Sequence, residues 1–255
     1  MKKKKSSPFF RPIRQVVKWC YPKITVHGAE HLEGGATIVV GNHAQVHGPL
    51  SCEFYFPVSH ATWCAGEMME LKEVPRYAFR DFWSQKPWYS RWLYKIASYL
   101  IAPLAVFVFR NADTIAVYHD MRSASTFKTT VNALKEGITP VVFPEHDEPH
   151  NAVVCDFQEK FVDVARLYYK KTGESIQFVP MYVAPRLKAL YFGKPVHFCA
   201  EAPIEEERRR ICDYLMKEIS TIAYGLPLHT VVPYRNIPRR LYPKNREDAY
   251  ETTGG

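Results

Sequence analysis

The chain has 255 residues, 47% of them apolar, a length that carries one catalytic-size domain with appendages rather than two equal domains. Its formal charge of +8 gives a surface that attracts anions, and charge alone does not choose between nucleic acid, an anionic lipid leaflet and phosphorylated substrates. The six cysteines are scattered without a C-x-x-C pair, which excludes a disulfide frame and a zinc knuckle.

The N-terminus opens with a basic run, Lys2 to Lys5, followed by Phe9, Phe10, Arg11, Ile13, Arg14, Val16, Val17, Trp19 and Tyr21. Cations are drawn to acidic head groups while aromatic and aliphatic side chains enter the acyl boundary, so residues 1–22 read as a basic amphipathic membrane-associating segment. The stretch has no uninterrupted apolar core and no small-residue cleavage site, so no secretory signal is expected and the protein is placed in the cytoplasm. The longest apolar run, Ile96 to Phe109, has about 14 residues and contains Pro103, short of the roughly 20 that a spanning helix needs. It reads as a buried or interfacial segment, which makes the expected association peripheral.

Short β-rich runs alternate with helical stretches over residues 23–226, the pattern of an α/β domain. Strands are expected at Ile24 to His27, Ala36 to Val40, Ala61 to Ala65, Val106 to Phe109, Val141 to Phe143, Phe178 to Val183 and Ala189 to Phe192. Gly34-Gly35 supplies a turn between the first two. Several of these runs are apolar throughout, as strands buried on both faces are. Helices are expected from about Val117 to Glu136, from about Asp156 to Lys171, and from Pro203 to Gly225. Residues 227–255, with four prolines among Arg and Lys, read as an extended basic tail without a fold expectation.

Sites in largely parallel sheets lie just beyond strand ends. Three such places are unusually polar: Gly41-Asn42-His43-Ala44-Gln45-Val46-His47-Gly48-Pro49, Arg110-Asn111, and Pro144-Glu145-His146-Asp147-Glu148. Together they offer a base, an anion clamp and an orienting carboxylate.

The order of these pieces resembles the glycerolipid acyltransferase family, of lysophosphatidate acyltransferase type, across about residues 23–200. Gly28-Ala29-Glu30-His31-Leu32 matches a G-x-E-x-L opening. Asn42, His43 and Pro49 match N-H-x-x-x-x-D-P, with Gly48 at the Asp position. Phe107-Val108-Phe109-Arg110 matches a motif ending in Arg, and Phe143-Pro144-Glu145 begins F-P-E-G-T-R, continued here as His146, Asp147 and Glu148. Val179-Pro180 matches a Val-Pro strand. The resemblance implies an α/β fold with a central, mostly parallel mixed sheet flanked by helices. It also implies acyl transfer from acyl-CoA or acyl-carrier protein to a phosphorylated lipid acceptor, with His43 as general base and no metal or redox cofactor.

By the same resemblance Arg110 binds the acceptor's phosphate and Glu145 orders the loop around it. The catalytic candidates are His43, Glu145 and Asp147, and the substrate-binding candidates Asn42, Gln45, His47, Arg110, Pro144 and His146. Gly48 has no side chain to orient the imidazole. Asp147, Glu148 or Glu145 can supply a carboxylate from the neighbouring strand end, and Gln45 or a backbone carbonyl can hold the ring instead. Losing the motif's Thr and Arg at Asp147 and Glu148 weakens the case for a simple glycerol-phosphate acceptor and leaves an amine or sugar acceptor open.

Two other readings use the same residues. The pairs His43-x3-His47 and His146-x3-His150, with Glu145 and Asp147, would suit a metal-dependent hydrolase, although prolines and Gly48 interrupt the helices that such spacing requires. A non-catalytic lipid-binding relative would keep the fold and the membrane patch. Nucleic-acid binding rests on charge alone and is not expected.

Overall fold

The computed structural model describes residues 7–83, 87–118 and 120–246. The Lys2 to Lys5 run and residues 247–255 of the tail lie outside the described residues. In chain order the main elements are α1 (Phe10–Cys20), β1 (Thr25–His27), β2 (Thr37–Gly41), α2 (His47–Tyr55), β3 (His60–Ala65), α3 (Val74–Ala78), α4 (Arg91–Asn111), β4 (Thr114–Val117) and α5 (Ser123–Lys135). They continue with β5 (Thr139–Val142), β6 (Glu145–Pro149), β7 (Cys155–Phe157), α6 (Asp163–Thr172), β8 (Gln177–Ala184), β9 (Ala189–Phe192), β10 (Val196–His197) and α7 (Ile204–Gly225). The chain divides into two compact units, one of residues 1–21 and 63–129, the other of residues 22–62 and 130–255.

The larger unit is α/β, built on a mostly parallel mixed sheet. Its strand order is β1-β9-β8-β2-β5-β3, with β10 antiparallel on β8. The β1–β9, β2–β8, β2–β5 and β3–β5 pairs are parallel, and β8–β9 is an antiparallel hairpin. The central strands β2 and β8 are buried along their whole length, which is why Ile38, Val39 and Val40 run without a polar break. Register sets Val40 beside Val142 on one side and Pro180 on the other, so the residues that follow β2 and β5 emerge next to one another.

Helix α7 packs on β8 with Ile211, Leu215, Ile219 and Ala223 buried at four-residue spacing. Each large side chain in such a stripe contributes about 1.5–3 kcal/mol of apolar burial. Glu205, Glu206 and Glu207 occupy the first turn of α7, where the helix dipole favours negative charge, and Pro203 caps it rather than opening it. Arg208 grips Asp163 through two 2.8 Å bonds, tying α7 to the start of α6. Gly173, at φ 76°, ends α6 in the left-handed conformation that a β-carbon disfavours.

The smaller unit centres on α4, whose Ala102 and Val106 pack with Met68 and Val74. Phe10 of α1 meets Phe107 edge to face at 6.4 Å, and the Ser7 amide donates to Asn111 Oδ1 at 2.7 Å.

Here the structure corrects the sequence reading. Val106 to Phe109, expected as a strand, forms the last turns of α4, and the strand comes later, at β4. A short continuous apolar run looks the same in either state, and here the helix extends it in both directions. The helix continues through Pro103, and residues Trp88–Asn111 are long and apolar enough to cross a membrane. The helix is thus longer than the roughly 14-residue apolar run counted from the sequence.

Helix α5 begins at Ser123 rather than Val117, because Val117 belongs to β4 and the Thr126 hydroxyl donates to the Ala116 carbonyl at 2.8 Å. Residues 156–162, expected as helix, hold the end of β7 and a 3-10 turn before α6 starts at Asp163.

Candidate active site

The site grows from the carboxyl end of β2. Asn42 is buried and folds its amide onto β8, accepting the Val183 N–H at 2.7 Å and donating to the Val183 carbonyl at 3.2 Å. Both ends of that side chain are used by backbone, so Asn42 anchors the turn and has a structural task. The next residues turn sharply, with Ala44 at φ 47° and Gln45 at φ 56°. Two consecutive left-handed residues with β-carbons store strain that the surrounding contacts must hold. The turn closes when the Gly48 amide donates to the His43 carbonyl at 3.1 Å, and α2 starts at His47.

The His43 amide donates to Glu145 Oε2, the first residue of β6, and Glu145 Oε1 accepts the Cys155 N–H at 2.8 Å. Glu145 is almost wholly buried, and burial pushes its carboxyl up to about 7, against the pull of the two amide donors. It therefore ties β2, β6 and β7 together through backbone.

The His43 ring sits edge-on to Phe143 at 5.2 Å and to Tyr234 at 5.8 Å. Burial lowers its pKa to about 4, and a backbone contact with Gln45 acts in the opposite sense. The imidazole is thus neutral at pH 7, the form that accepts a proton. Its Nδ1 is buried and has no hydrogen-bond partner among the described residues.

Gly48 explains why no carboxylate completes the pair from its own helix. A β-carbon there would collide with the His43 carbonyl oxygen and lie 2.9 and 3.0 Å from two atoms of the Phe143 ring. The position is closed by packing, so an aspartate has no room.

The remaining candidates divide. Pro144 is buried and its carbonyl accepts the Gln158 N–H at 2.9 Å. His146, Asp147 and Glu148 were expected just beyond a strand end, and they lie on a further strand, β6, which pairs with β7 in a two-stranded ribbon. Asp147 and Glu148 are exposed there, and His150 bonds Asp156 at 3.1 Å. Among the described residues no three His, Cys, Asp or Glu side chains cluster as metal ligands, so His43, His47, His146 and His150 are not gathered into one centre. His47 is half-buried, and its pKa is lowered by burial first and then by the charges of Arg186 and Arg239.

Arg110 belongs to the smaller unit, on the last turn of α4 rather than at a strand end. Its Nε donates to the Met69 carbonyl at 2.8 Å and its guanidinium lies 3.6 Å from the Glu70 carboxylate.

Sequence reading missed the part played by residues 227–246. Gln45 donates to the Tyr242 hydroxyl at 2.9 Å and to the Arg235 carbonyl at 3.4 Å, and Tyr234 covers the His43 ring. The signal was present: Val231 and Val232, both buried, interrupt the polar tail with an apolar pair that calls for a docking surface.

No family model matches the chain, and no curated protein matches it. Among solved structures, the chain is similar to the crystal structure of the 1-acyl-sn-glycerophosphate (LPA) acyltransferase PlsC from Thermotoga maritima, at 16% identity and a TM-score of 0.48, covering 86% of this chain and 81% of that one.

Proposed function

We propose that this chain is an acyltransferase that moves a fatty acyl group from a thioester, acyl-CoA or acyl-carrier protein, to a hydroxyl of a lysophosphatidate-like acceptor. The observation that carries the reading is the bond from the His43 amide to Glu145. It joins two pieces of the motif order that resembles the glycerolipid acyltransferases, at the adjacent ends of β2 and β5, around an imidazole that is neutral at pH 7.

In this mechanism the acceptor oxygen attacks the thioester carbonyl carbon as its proton passes to His43. The C–S bond breaks, and the proton moves on to the departing thiolate, giving an ester and a free thiol. Glu145 acts through the backbone as a positioning residue, holding the strained turn that presents the ring.

We place the protein on the cytoplasmic face of the cell membrane. Helices α1 and α4 contain no acidic residue and expose Val16, Trp19, Trp92, Tyr99, Leu100 and Leu104, a combination that suits an anionic lipid surface.

The experiment is acyl transfer by purified protein and by His43→Ala, with both donors and a panel of lysophospholipid, glycerol-phosphate and amine acceptors. Transfer that vanishes in the variant supports the reading. A second reading, a non-catalytic lipid-binding relative, draws on the unpartnered Nδ1 and the closed Gly48 position, and it gains if no acceptor is acylated while lipid binding persists.

A further inference from the structure

Residues 227–246 carry no catalytic motif, yet they form a closed loop built into the larger unit. Asn245 is 1% exposed and holds the neck. Its side-chain oxygen accepts the His229 N–H at 2.7 Å, and its amide donates to the Ala223, Leu226 and Pro227 carbonyls at 2.7, 3.2 and 3.3 Å. His229 Nδ1 bonds the Pro227 carbonyl at 2.7 Å, which makes Nε2 the acceptor for the Tyr182 hydroxyl, also at 2.7 Å. A bridge between Thr230 and Lys244 and the bond from the Val231 amide to the Pro243 carbonyl close the base. Compact loops with joined ends of this kind are frequently functional.

From that base the loop reaches the turn after β2. Tyr234 meets the His43 ring, and Tyr242 and the Arg235 carbonyl both accept from Gln45. Basic residues flank these contacts along the chain. Arg235 follows Tyr234, and Arg239 opens the 3-10 turn Arg239–Leu241 that delivers Tyr242. Arg186 lies in the β8–β9 turn, three residues beyond the Val183 that Asn42 holds. The charges of Arg186 and Arg239 both act on His47, and that of Arg235 acts on Cys155, whose amide bonds Glu145. All three arginines are exposed, and none is ion-paired to a described residue. The His43 ring that Tyr234 meets has a buried Nδ1 with no hydrogen-bond partner among the described residues.

We propose that the closed loop is a wall of the His43 site and that Arg235, Arg239 and Arg186 bind the phosphate monoester at the head of the acceptor lipid. The identity of the lipid rests on the acyltransferase reading, whereas the anion site does not. Arginine suits the task because its planar fork meets phosphate oxygens in pairs.

The test compares the full chain with R235Q/R239Q in neutral detergent micelles, which removes attraction to an anionic surface. Binding is measured by calorimetry for a lysolipid ending in a phosphate monoester, for a monoacylglycerol lacking phosphate, for inorganic phosphate and for coenzyme A. The double variant binds the phosphate-bearing lysolipid about 10- to 100-fold more weakly, the loss expected for charge-assisted bonds, and the monoacylglycerol as before. If coenzyme A alone loses affinity, the arginines serve the donor and the proposal falls. It also falls if both lipids lose affinity equally, if inorganic phosphate alone is affected, or if nothing changes. Should the double variant melt early, Arg186→Gln on the β8–β9 turn provides the same comparison without touching the loop. Because binding needs no turnover, a phosphate-specific loss in a protein that acylates nothing would keep this site while the acyltransferase reading failed.

Discussion

Gly48 is packed against the carbonyl of His43, five residues earlier, so closely that the space for a side chain is already filled by that oxygen and by the Phe143 ring. The place where the resembling family carries an aspartate is therefore occupied by other atoms.

It follows that Gly48→Asp does not rebuild a His–Asp pair. Forcing a side chain into this packing costs about 1–3 kcal/mol or more, and Gly48→Ala already shows much of that loss. Denaturant unfolding of both variants, with acyl transfer measured alongside, checks this. A Gly48→Asp protein that is as stable as the parent and faster in transfer would refute the packing argument.

His43→Ala removes the group assigned to proton transfer. Transfer is expected to fall by about 10²- to 10⁴-fold, the usual worth of a positioned base. Stability is expected to change far less, because the buried Nδ1 makes no bond that the variant would lose. Comparing initial rates with unfolding midpoints separates the two effects, and a rate loss that merely tracks unfolding would remove His43 from the mechanism.

His43 and Glu145 titrate in opposing senses as the protein folds. The imidazole is lowered from 6.5 to about 4, so the unfolded chain binds a proton there that the fold does not. That contribution to stability is fully present above pH 6.5 and is lost as pH falls through 4. The carboxyl is raised from 4.5 to about 7, so its contribution is present below pH 4.5 and is lost as pH rises through 7. Between these limits the two slopes offset each other. His43→Gln should uncover stability that falls with rising pH, and Glu145→Gln stability that rises with it. Urea midpoints across pH 4 to 7.5 distinguish the cases, and slopes of the same sign in both variants would contradict the assignment.

The exposed apolar faces of α1 and α4 predict vesicle binding. Trp19→Glu and Leu100→Glu each place a carboxylate where an aromatic or aliphatic side chain would enter lipid, and affinity for anionic vesicles should drop about tenfold or more. Flotation at low and high salt reads the effect, since the electrostatic part weakens with ionic strength and the apolar part does not. Unchanged flotation of both variants would show that neither helix meets the membrane.

Much of the sheet was legible in the sequence because burial on both faces of a parallel strand leaves unbroken β-branched runs, as in Ile38-Val39-Val40 and in the stretch from Phe178 to Val183. The sequence also set His43 and Glu145 at strand ends, each a polar residue soon after such a run, and the structure joins these adjacent ends through the His43 amide. Arg110 was misplaced because an apolar run has no period by which to tell helix from strand, and only the packing of Ala102 and Val106 on Met68 and Val74 settles that question. Gly48 read as a missing group, whereas the structure shows a filled space, a property of Phe143 and the His43 carbonyl rather than of glycine itself.

The loop from residue 227 to 246 is the clearest case of what tertiary structure alone decides. Its contacts with Gln45 and Tyr182 join positions 197 and 47 residues apart, and no local pattern records such pairings. The sequence by itself determined which side chains are available for chemistry at strand ends and which runs must be buried, because both follow from side-chain type and period. Which of those residues meet, and which empty-looking positions are full, depended on the closing of distant segments onto one another.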